Sequence, residues 1–347
     1  MTEKQAQPVA SVIVATRNRP EDVARCLPTI LANDYPDVDM ILMDQSTDDA
    51  TEKVVETALA EAEANGHKWE LARLEGEAPS IEGLTARRRL IYRRATTVGA
   101  TRSYNEALHY ARGEVLAFTD DDCTVSSSWI ANGVKAMARE PEAGILFGEF
   151  VPIPHDPSKT YIPSFRPERY RQLKGRLGRL FCDYVASGNM FVRRAVFDRL
   201  GGFDEYLGPG ALFLGGDDVD LAYRTLRAGF PIVVEPKNAV VHWGKRDYAD
   251  GSGQRLLRDY YYAVGARQMK QIRCGDALAA YAFARSFLRE TLITLGNLVW
   301  HGRPTGAGRQ LQLIKGALAG LSQPVNRTLW LYVEKDRGRT AARRGAV

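Results

Sequence analysis

The sequence predicts an α/β fold, a sheet of alternating strands and helices, followed by a helical C-terminal extension. Three observations carry this. Short β-branched runs alternate with helix-periodic segments over residues 9–245. The early runs break into polar clusters, as strands do in an open sheet whose carboxyl ends face a ligand crevice. Past residue 245 the strand signals stop and only apolar spacings of three and four continue.

The first strand is predicted over residues 9–15, a Val/Ile-rich run that breaks into the polar loop Thr16-Arg-Asn-Arg-Pro20. Pro20, Glu21 and Asp22 open a helix to about Ala32, because proline is pre-shaped for the first helical position and acids suit the positive helix end. A second strand over residues 39–43 ends in Asp44-Gln-Ser-Thr-Asp48, and Ser46 to Asp49 offer caps for a helix over 50–65. By the sheet rule, Thr16, Arg17, Asp44 and Asp48 line one crevice. Residues 66–83 read as loose, 90–94 as a strand, and 106–111 as a helix stopped by Gly113. Arg102 and Asn105 share a face at that helix start, where an anionic phosphate is stabilised; the alternative is an ordinary surface pair.

Val115 to Phe118 is an uninterrupted apolar run, read as a buried strand, that ends in Asp120, Asp121 and Asp122. Residues i and i+2 of an extended segment point the same way, so Asp120 and Asp122 converge while Asp121 points elsewhere. Carboxylates this close repel unless a divalent cation neutralises them, and hard oxygen ligands suit Mn2+ or Mg2+. Taken in isolation, the triplet also fits a solvated acidic loop.

Downstream come a helix over 129–139, a strand over 145–151, a proline-rich loop over 152–180, strand signals on either side of Ser187-Gly-Asn189, and a helix over 194–200. The glycine-rich loop 205–216 then reaches Asp217 and Asp218, followed by a helix over 221–228. Strands over 232–235 and 239–242 close this part on His242, either a strand-end residue or a third metal ligand through a neutral imidazole nitrogen. Helices follow, the longest marked by Leu278, Tyr281, Ala284, Leu288, Leu292, Leu295 and Val299. Packing on the preceding domain explains them; contact with a membrane surface is the sharper alternative.

Composition excludes several classes. A hydrophobic content of 45% with 26% charged residues is that of a globular protein, and a net charge of +5 over 347 residues does not by itself call for nucleic acid. Cys26, Cys123, Cys182 and Cys274 form no CxxC pair, so neither a zinc knuckle nor a disulfide framework is expected, and a reducing cytoplasm suits them. The first residues do not read as a signal peptide, and no apolar run approaches the ~20 residues that span a bilayer. The basic tail with Arg337, Arg339, Arg343 and Arg344 reads as a solvated end.

The strand ends together support transfer chemistry. A metal at Asp120 and Asp122 would act as Lewis acid towards a diphosphate leaving group, and Asp218, at a helix start after a glycine-rich loop, could take the proton of a hydroxyl acceptor. At these residues the chain resembles the family 2 glycosyltransferases. The matching stretches are Ser11-Val-Ile-Val-Ala-Thr-Arg-Asn-Arg19, Met43-Asp-Gln-Ser-Thr-Asp-Asp49, Gly99 to Asn105, Ala111 to Asp122, Ser187-Gly-Asn189, Gly201-Gly-Phe-Asp-Glu205, Gly216-Asp-Asp-Val-Asp-Leu221 with Arg224, and Val241-His-Trp243.

That resemblance implies the GT-A fold, a Rossmann-like mixed sheet flanked by helices, and an inverting, metal-dependent enzyme that moves a sugar from a nucleotide-diphosphate sugar to a hydroxyl acceptor. It implies that Thr16, Arg17, Asp44 and Asp48 hold the base and ribose, with Arg102 and Asn105 near the diphosphate and Asp121 on the nucleotide side. Asp120 and Asp122 would hold the cation, His242 would touch the cation or diphosphate, and Asp218 would be the base. Asp217 stands where the family more often has Glu, which leaves open which of the two carboxylates is the base. The processive family's QxxRW element is absent from Leu221-Ala-Tyr-Arg-Thr-Leu-Arg227, so few additions per acceptor are expected. The expected domains are 1–245, catalytic, with a nucleotide-sugar half 9–125 and an acceptor half 126–245, and 246–347, a helical region with possible lipid-surface contact at the inner face of a membrane. The rivals are a sugar-phosphate nucleotidyltransferase, which needs glycines after the first strand where this chain has none, and a non-catalytic nucleotide-sugar binding protein.

Overall fold

Strand β1 (Ala10–Thr16) is buried along nearly its whole length because strands flank it on both sides and helices cover the sheet. The computed structural model describes residues 7–76, 81–182, 185–302, 304 and 306–335. Helix α1 (Pro20–Leu31) starts with Pro20 and the acids Glu21 and Asp22 in its first turn, and it buries Val23, Cys26, Leu27, Ile30 and Leu31. Strand β2 (Val38–Asp44), helix α2 (Ala50–Ala64), edge strand β3 (Glu70–Leu74) and β4 (Arg88–Arg94) follow. Within residues 66–83, expected to be loose, the structure forms β3: its side chains are mostly half-exposed, so no buried run announces it.

Helix α3 spans Ala100–Ala107, not 106–111. Gly99, at φ 121°, takes the N-cap position and exchanges hydrogen bonds with the side chain of Gln45, which sets the helix start six residues early. Strand β5 (Val115–Phe118), the short β6 (Cys123–Val125), helix α4 (Trp129–Arg139) and strand β7 (Ile145–Pro152) come next. The proline-rich segment is not all loop: it contains β8 (Thr160–Tyr161), β9 (Arg171–Leu173) and helix α5 (Gly175–Phe181), so the strand signal expected before Ser187 begins on a helix end, and residues 183 and 184 lie outside the described residues. Strand β10 (Met190–Arg193), helix α6 (Arg194–Leu200), helix α7 (Asp217–Arg227), strand β11 (Ile232–His242) and β12 (Arg246–Asp247) complete this part.

Among the described residues the sheet has ten strands in the order β3-β4-β2-β1-β5-β10-β7-β11-β6, with β9 beside β11. Neighbours from β3 to β5 are parallel; β10 is antiparallel to β5 and β7, and β11 is parallel to β7. The sheet is therefore mixed, as expected. Helix α7 begins at Asp217, not at 221, because Asp217, Asp218 and Asp220 fit the positive first turn of a helix. The strands expected at 232–235 and 239–242 are one strand with a bulge between Glu235 and Ala239, and that irregularity accommodates Pro236.

The described chain forms two compact units. The first runs to Phe203 and resumes over Asp217–Gln254; the second joins Asp204–Gly216 to the chain from Arg255 onward. The second unit holds most of helix α8 (Ser252–Arg273), helices α9 (Ala277–His301) and α10 (Ala307–Ser322), and the hairpin β13 (Val325–Asn326) and β14 (Leu331–Tyr332). Its core gathers Leu207, Phe213, Ala266 and Tyr332, so the glycine-rich loop packs on α8 and the hairpin. No described helix is long and apolar enough to cross a membrane. The four arginines of the tail, Arg337 to Arg344, lie outside the described residues.

Candidate active site

Sheet register brings His242 to the acidic triplet. Strands β6 and β11 pair antiparallel with Cys123 opposite His242, and Trp243 N–H donates to the Asp122 carbonyl at 2.9 Å. The His242 ring stacks on Phe150 with centroids 4.3 Å apart, and its Nδ1 is 2.9 Å from the Pro163 carbonyl oxygen. A carbonyl only accepts, so Nδ1 carries hydrogen and Nε2 faces Asp122, 3.3 Å from Oδ1. There Nε2 donates to Asp122 when the ring is charged, or offers its lone pair to a cation when it is neutral. One ligand atom each from Asp120, Asp122 and Cys123 lie within 4.8 Å of one another.

The backbone is fitted closely around this group. A Cβ on Gly244 would sit 2.3 Å from His242 Nε2 and 2.5 Å from Asp122 Oδ2, and one on Gly188 would sit 2.8 Å from Asp120 Oδ2. Only glycine lets the chain pass here. Burial pushes Asp120 up to about 7, aided by the neighbouring Asp122 charge and opposed by His242. Burial also works against the charge on Asp122, but its hydrogen bond to His242 and the nearby His242, Arg19 and Arg246 charges hold it below the ordinary carboxylate range. For His242, burial opposes the charged ring, while the Asp122 hydrogen bond and charge outweigh it and raise the imidazole above its ordinary value.

Asp121 turns the other way. Its Oδ2 accepts from Thr16 Oγ1 at 2.7 Å and its Oδ1 from Arg19 Nη1 at 2.6 Å; burial lifts it to about 6 in spite of both donors. Arg19 Nη1 also lies 3.4 Å from Asp122 Oδ2, so this arginine ties the β1 loop to the triplet. Arg17, expected in the crevice, is exposed. Nothing in the sequence distinguishes the two arginines; the fold of the loop does.

Asp44 pairs in register with Thr16, and the other expected nucleotide-side residues make contacts of their own. Asp44 is fully buried, accepting from Tyr92 Oη at 2.7 Å and Ser46 N–H at 2.8 Å, and burial with this bond drives the Tyr92 phenol far up. Asp48 accepts from Ala50 N–H at the start of α2 and lines a cleft of about 650 Å³ with Pro20, Glu21, Asp49 and Lys53; none of Thr16, Asp120 and Asp122 lines it. Arg102 is exposed on α3. Asn105 exchanges two hydrogen bonds with the Phe203 backbone, at 3.1 and 2.8 Å, so its amide holds the Gly201-Gly-Phe segment. Arg224, fully buried, supports the same segment from α7 through the Gly202 carbonyl at 2.9 Å while pairing with Asp220 at 2.8 Å.

At the start of α7 the two candidate bases differ. Asp218 is half-buried, with Oδ1 accepting from Val219 N–H at 2.7 Å and Oδ2 from Ser187 N–H at 3.2 Å. Asp217 is buried, and burial together with the Asp218, Asp120 and Asp220 charges pushes it up to about 8. The Asp218 charge also raises Asp120, which places the two carboxylates within electrostatic reach.

The family model of glycosyl transferase family 2 matches residues 11–201, more than half of the chain. The chain belongs to this family. Among curated proteins it is similar to glycosyltransferase AglE of Haloferax volcanii, 23% identical over 229 residues that are 65% of this chain and 64% of that protein. The glucosyl-dolichyl phosphate glucuronosyltransferase of the same organism is 22% identical over 75% of this chain and 76% of that protein. This chain thus spans just under two thirds of the length of the first relative. Among solved structures, the mannosyltransferase PcManGT from Pyrobaculum calidifontis in complex with GDP-Man and Mn2+ superposes with a TM-score of 0.57 at 18% identity, covering 92% of this chain and 88% of that one. TarS of S. aureus, residues 1–349 in complex with UDP-GlcNAc, gives 0.55 at 15% identity over 90% and 81%. The fold of the described chain is therefore that of the GT-A glycosyltransferases.

Proposed function

We propose that this protein transfers a sugar from a nucleotide-diphosphate sugar to a hydroxyl acceptor with inversion, using a divalent cation held by Asp120, Asp122 and His242. The observation that carries this reading is the approach of His242 Nε2 to Asp122 beside Asp120, in a cradle that a Cβ at Gly244 would fill. The donor set fits Mn2+ or Mg2+: two carboxylates and an imidazole whose far nitrogen is fixed by a carbonyl. Burial keeps the Cys123 thiol well above its ordinary value, so it is a poor ligand beside them. When bound, the cation supplies charge neutralisation for the departing diphosphate.

Asp218 serves as base. Two backbone N–H groups hold its carboxylate in place, and its half-buried position leaves it open to an acceptor hydroxyl. Burial and the neighbouring carboxylates push Asp217 up to about 8, which favours its protonated form over that of a free base. With one base on the acceptor side, a single displacement opposite the leaving diphosphate inverts the anomeric carbon. Arg102 remains the candidate for the diphosphate, whereas Asn105 positions the backbone at Phe203. Thr16 and Arg19 organise the nucleotide side through Asp121, in a catalytic region covering residues 1–245. The GDP-Man and UDP-GlcNAc in the structural neighbours support a nucleotide-diphosphate donor, and the missing QxxRW element supports few additions per acceptor.

The test is release of nucleoside diphosphate from a panel of UDP- and GDP-sugars with Mn2+ and varied hydroxyl acceptors, repeated with EDTA. Release that EDTA abolishes is expected. No release from any donor and acceptor pair would overturn the proposal, and pyrophosphate from a nucleoside triphosphate plus a sugar phosphate would replace it with nucleotidyl transfer.

A further inference from the structure

Helix α9 presents an apolar stripe to solvent. Tyr281, Leu288, Leu292, Leu295 and Val299 recur at spacings of seven, four, three and four, which puts them on one face, and each is more than half exposed. Leu311, Leu318 and Leu321 are exposed on α10, which packs on α9 through Gln310 and Thr291, 2.7 Å apart. Residues 291–300 contain no charged side chain and end on Trp300, 83% exposed. Isolated exposed leucines need no explanation, but a continuous stripe on one helix does.

The charge around the stripe identifies what covers it. Residues 277–335 hold seven Lys or Arg against two Glu, whereas residues 1–276 hold 36 Lys or Arg against 39 Asp or Glu. Lys315 on α10 and Arg327 beyond it are exposed. A second copy would bring two positive surfaces together, which opposes pairing. An anionic bilayer complements the charge, takes up the apolar stripe at the acyl boundary and gives the indole of Trp300 its preferred interfacial position. We propose that α9 and α10 form a monotopic contact with anionic membrane surfaces, lying on the bilayer without crossing it.

The full chain is tested by flotation with vesicles of phosphatidylcholine alone and with vesicles in which phosphatidylglycerol replaces part of it. Flotation with the anionic vesicles, weakened by salt, is expected. The double variant L292D/V299D should lower the bound fraction about tenfold or more, while L177D, at an exposed leucine on α5, should leave it unchanged; circular dichroism confirms that both variants fold. Failure of the wild type to float, or equal flotation of L292D/V299D, overturns the proposal. So does a wild-type dimer that L292D/V299D converts to monomer without any vesicle binding, because the stripe then belongs to a second copy. Nucleoside diphosphate release reads the transfer reaction separately, so either proposal can fail alone.

Discussion

Lys270 Nζ lies 2.5 Å from Asp204 Oδ2, and both side chains are fully buried within the second unit. The same oxygen accepts from Tyr332 N–H at 2.9 Å, and Oδ1 accepts from Tyr206 N–H at 3.0 Å. Asp204 opens the loop that ends at Gly216, directly before Asp217 and Asp218, so α8 and the hairpin fix the first residue of the segment leading to the proposed base. Removing one partner of such a pair strands a buried charge. Lys270→Met should therefore cost about 3–5 kcal/mol, read as a lower melting temperature and faster proteolysis within residues 205–216. Adding Asp204→Asn should recover part of the loss; unchanged melting in Lys270→Met would show that the pair contributes nothing.

Asp218→Asn keeps the shape of the side chain and removes its basicity. Donor affinity should stay near wild type while transfer falls by about 10²–10⁴-fold. Single-turnover rates with saturating donor check this. Turnover close to wild type would move the role of base to another group.

Asp122→Ala removes a proposed ligand and also the partner of His242 Nε2 and Arg19. Calorimetric titration of donor in the presence and absence of Mn2+ should show the metal-dependent part of binding lost. If Mn2+ still enhances affinity to the wild-type extent, the cation sits elsewhere.

Asp217 gives a stability effect whose sign follows from burial. In metal-free protein its carboxyl is raised to about 8, so between the ordinary carboxylate range and pH 8 the folded state keeps a proton that the unfolded state has released. Folding stability is lost as pH rises through that window. Asp217→Asn lacks this dependence, so in EDTA its melting temperature should gain on the wild type steadily from pH 4 to pH 8. A constant difference between the two curves would show that Asp217 titrates as an ordinary carboxylate.

The inner strands were legible because burial on both faces leaves continuous apolar runs, as in β1, β2 and β5. Elements without that signature were not. Strand β3 is half-exposed at the sheet edge, β6 has three residues, and the starts of α3 and α7 were obscured by a glycine cap and by acids that also suit a loop. In the site, Asp120, Asp122 and His242 could be named from strand ends. The approach of Arg19 to Asp121 and the engagement of Asn105 by Phe203 join residues about a hundred positions apart, and local periodicity carries no information on such contacts.

Gly244 tests the site without replacing a proposed ligand. Its added Cβ would meet His242 Nε2 at 2.3 Å and Asp122 Oδ2 at 2.5 Å, closer than carbon ever approaches such atoms. The imidazole has little freedom to retreat, since Phe150 stacks on it and Pro163 holds Nδ1. Gly244→Ala should therefore displace Nε2 from Asp122 and weaken Mn2+ binding by about 10–100-fold, the range seen when a ligand's supporting contacts are lost. The sheet pairs before this point, ending at His242 and Cys123, so the fold should survive. Mn2+ titration followed by electron paramagnetic resonance measures the affinity, and circular dichroism checks the fold. Wild-type Mn2+ affinity in a folded Gly244→Ala protein would mean that the cation does not depend on the His242 and Asp122 geometry.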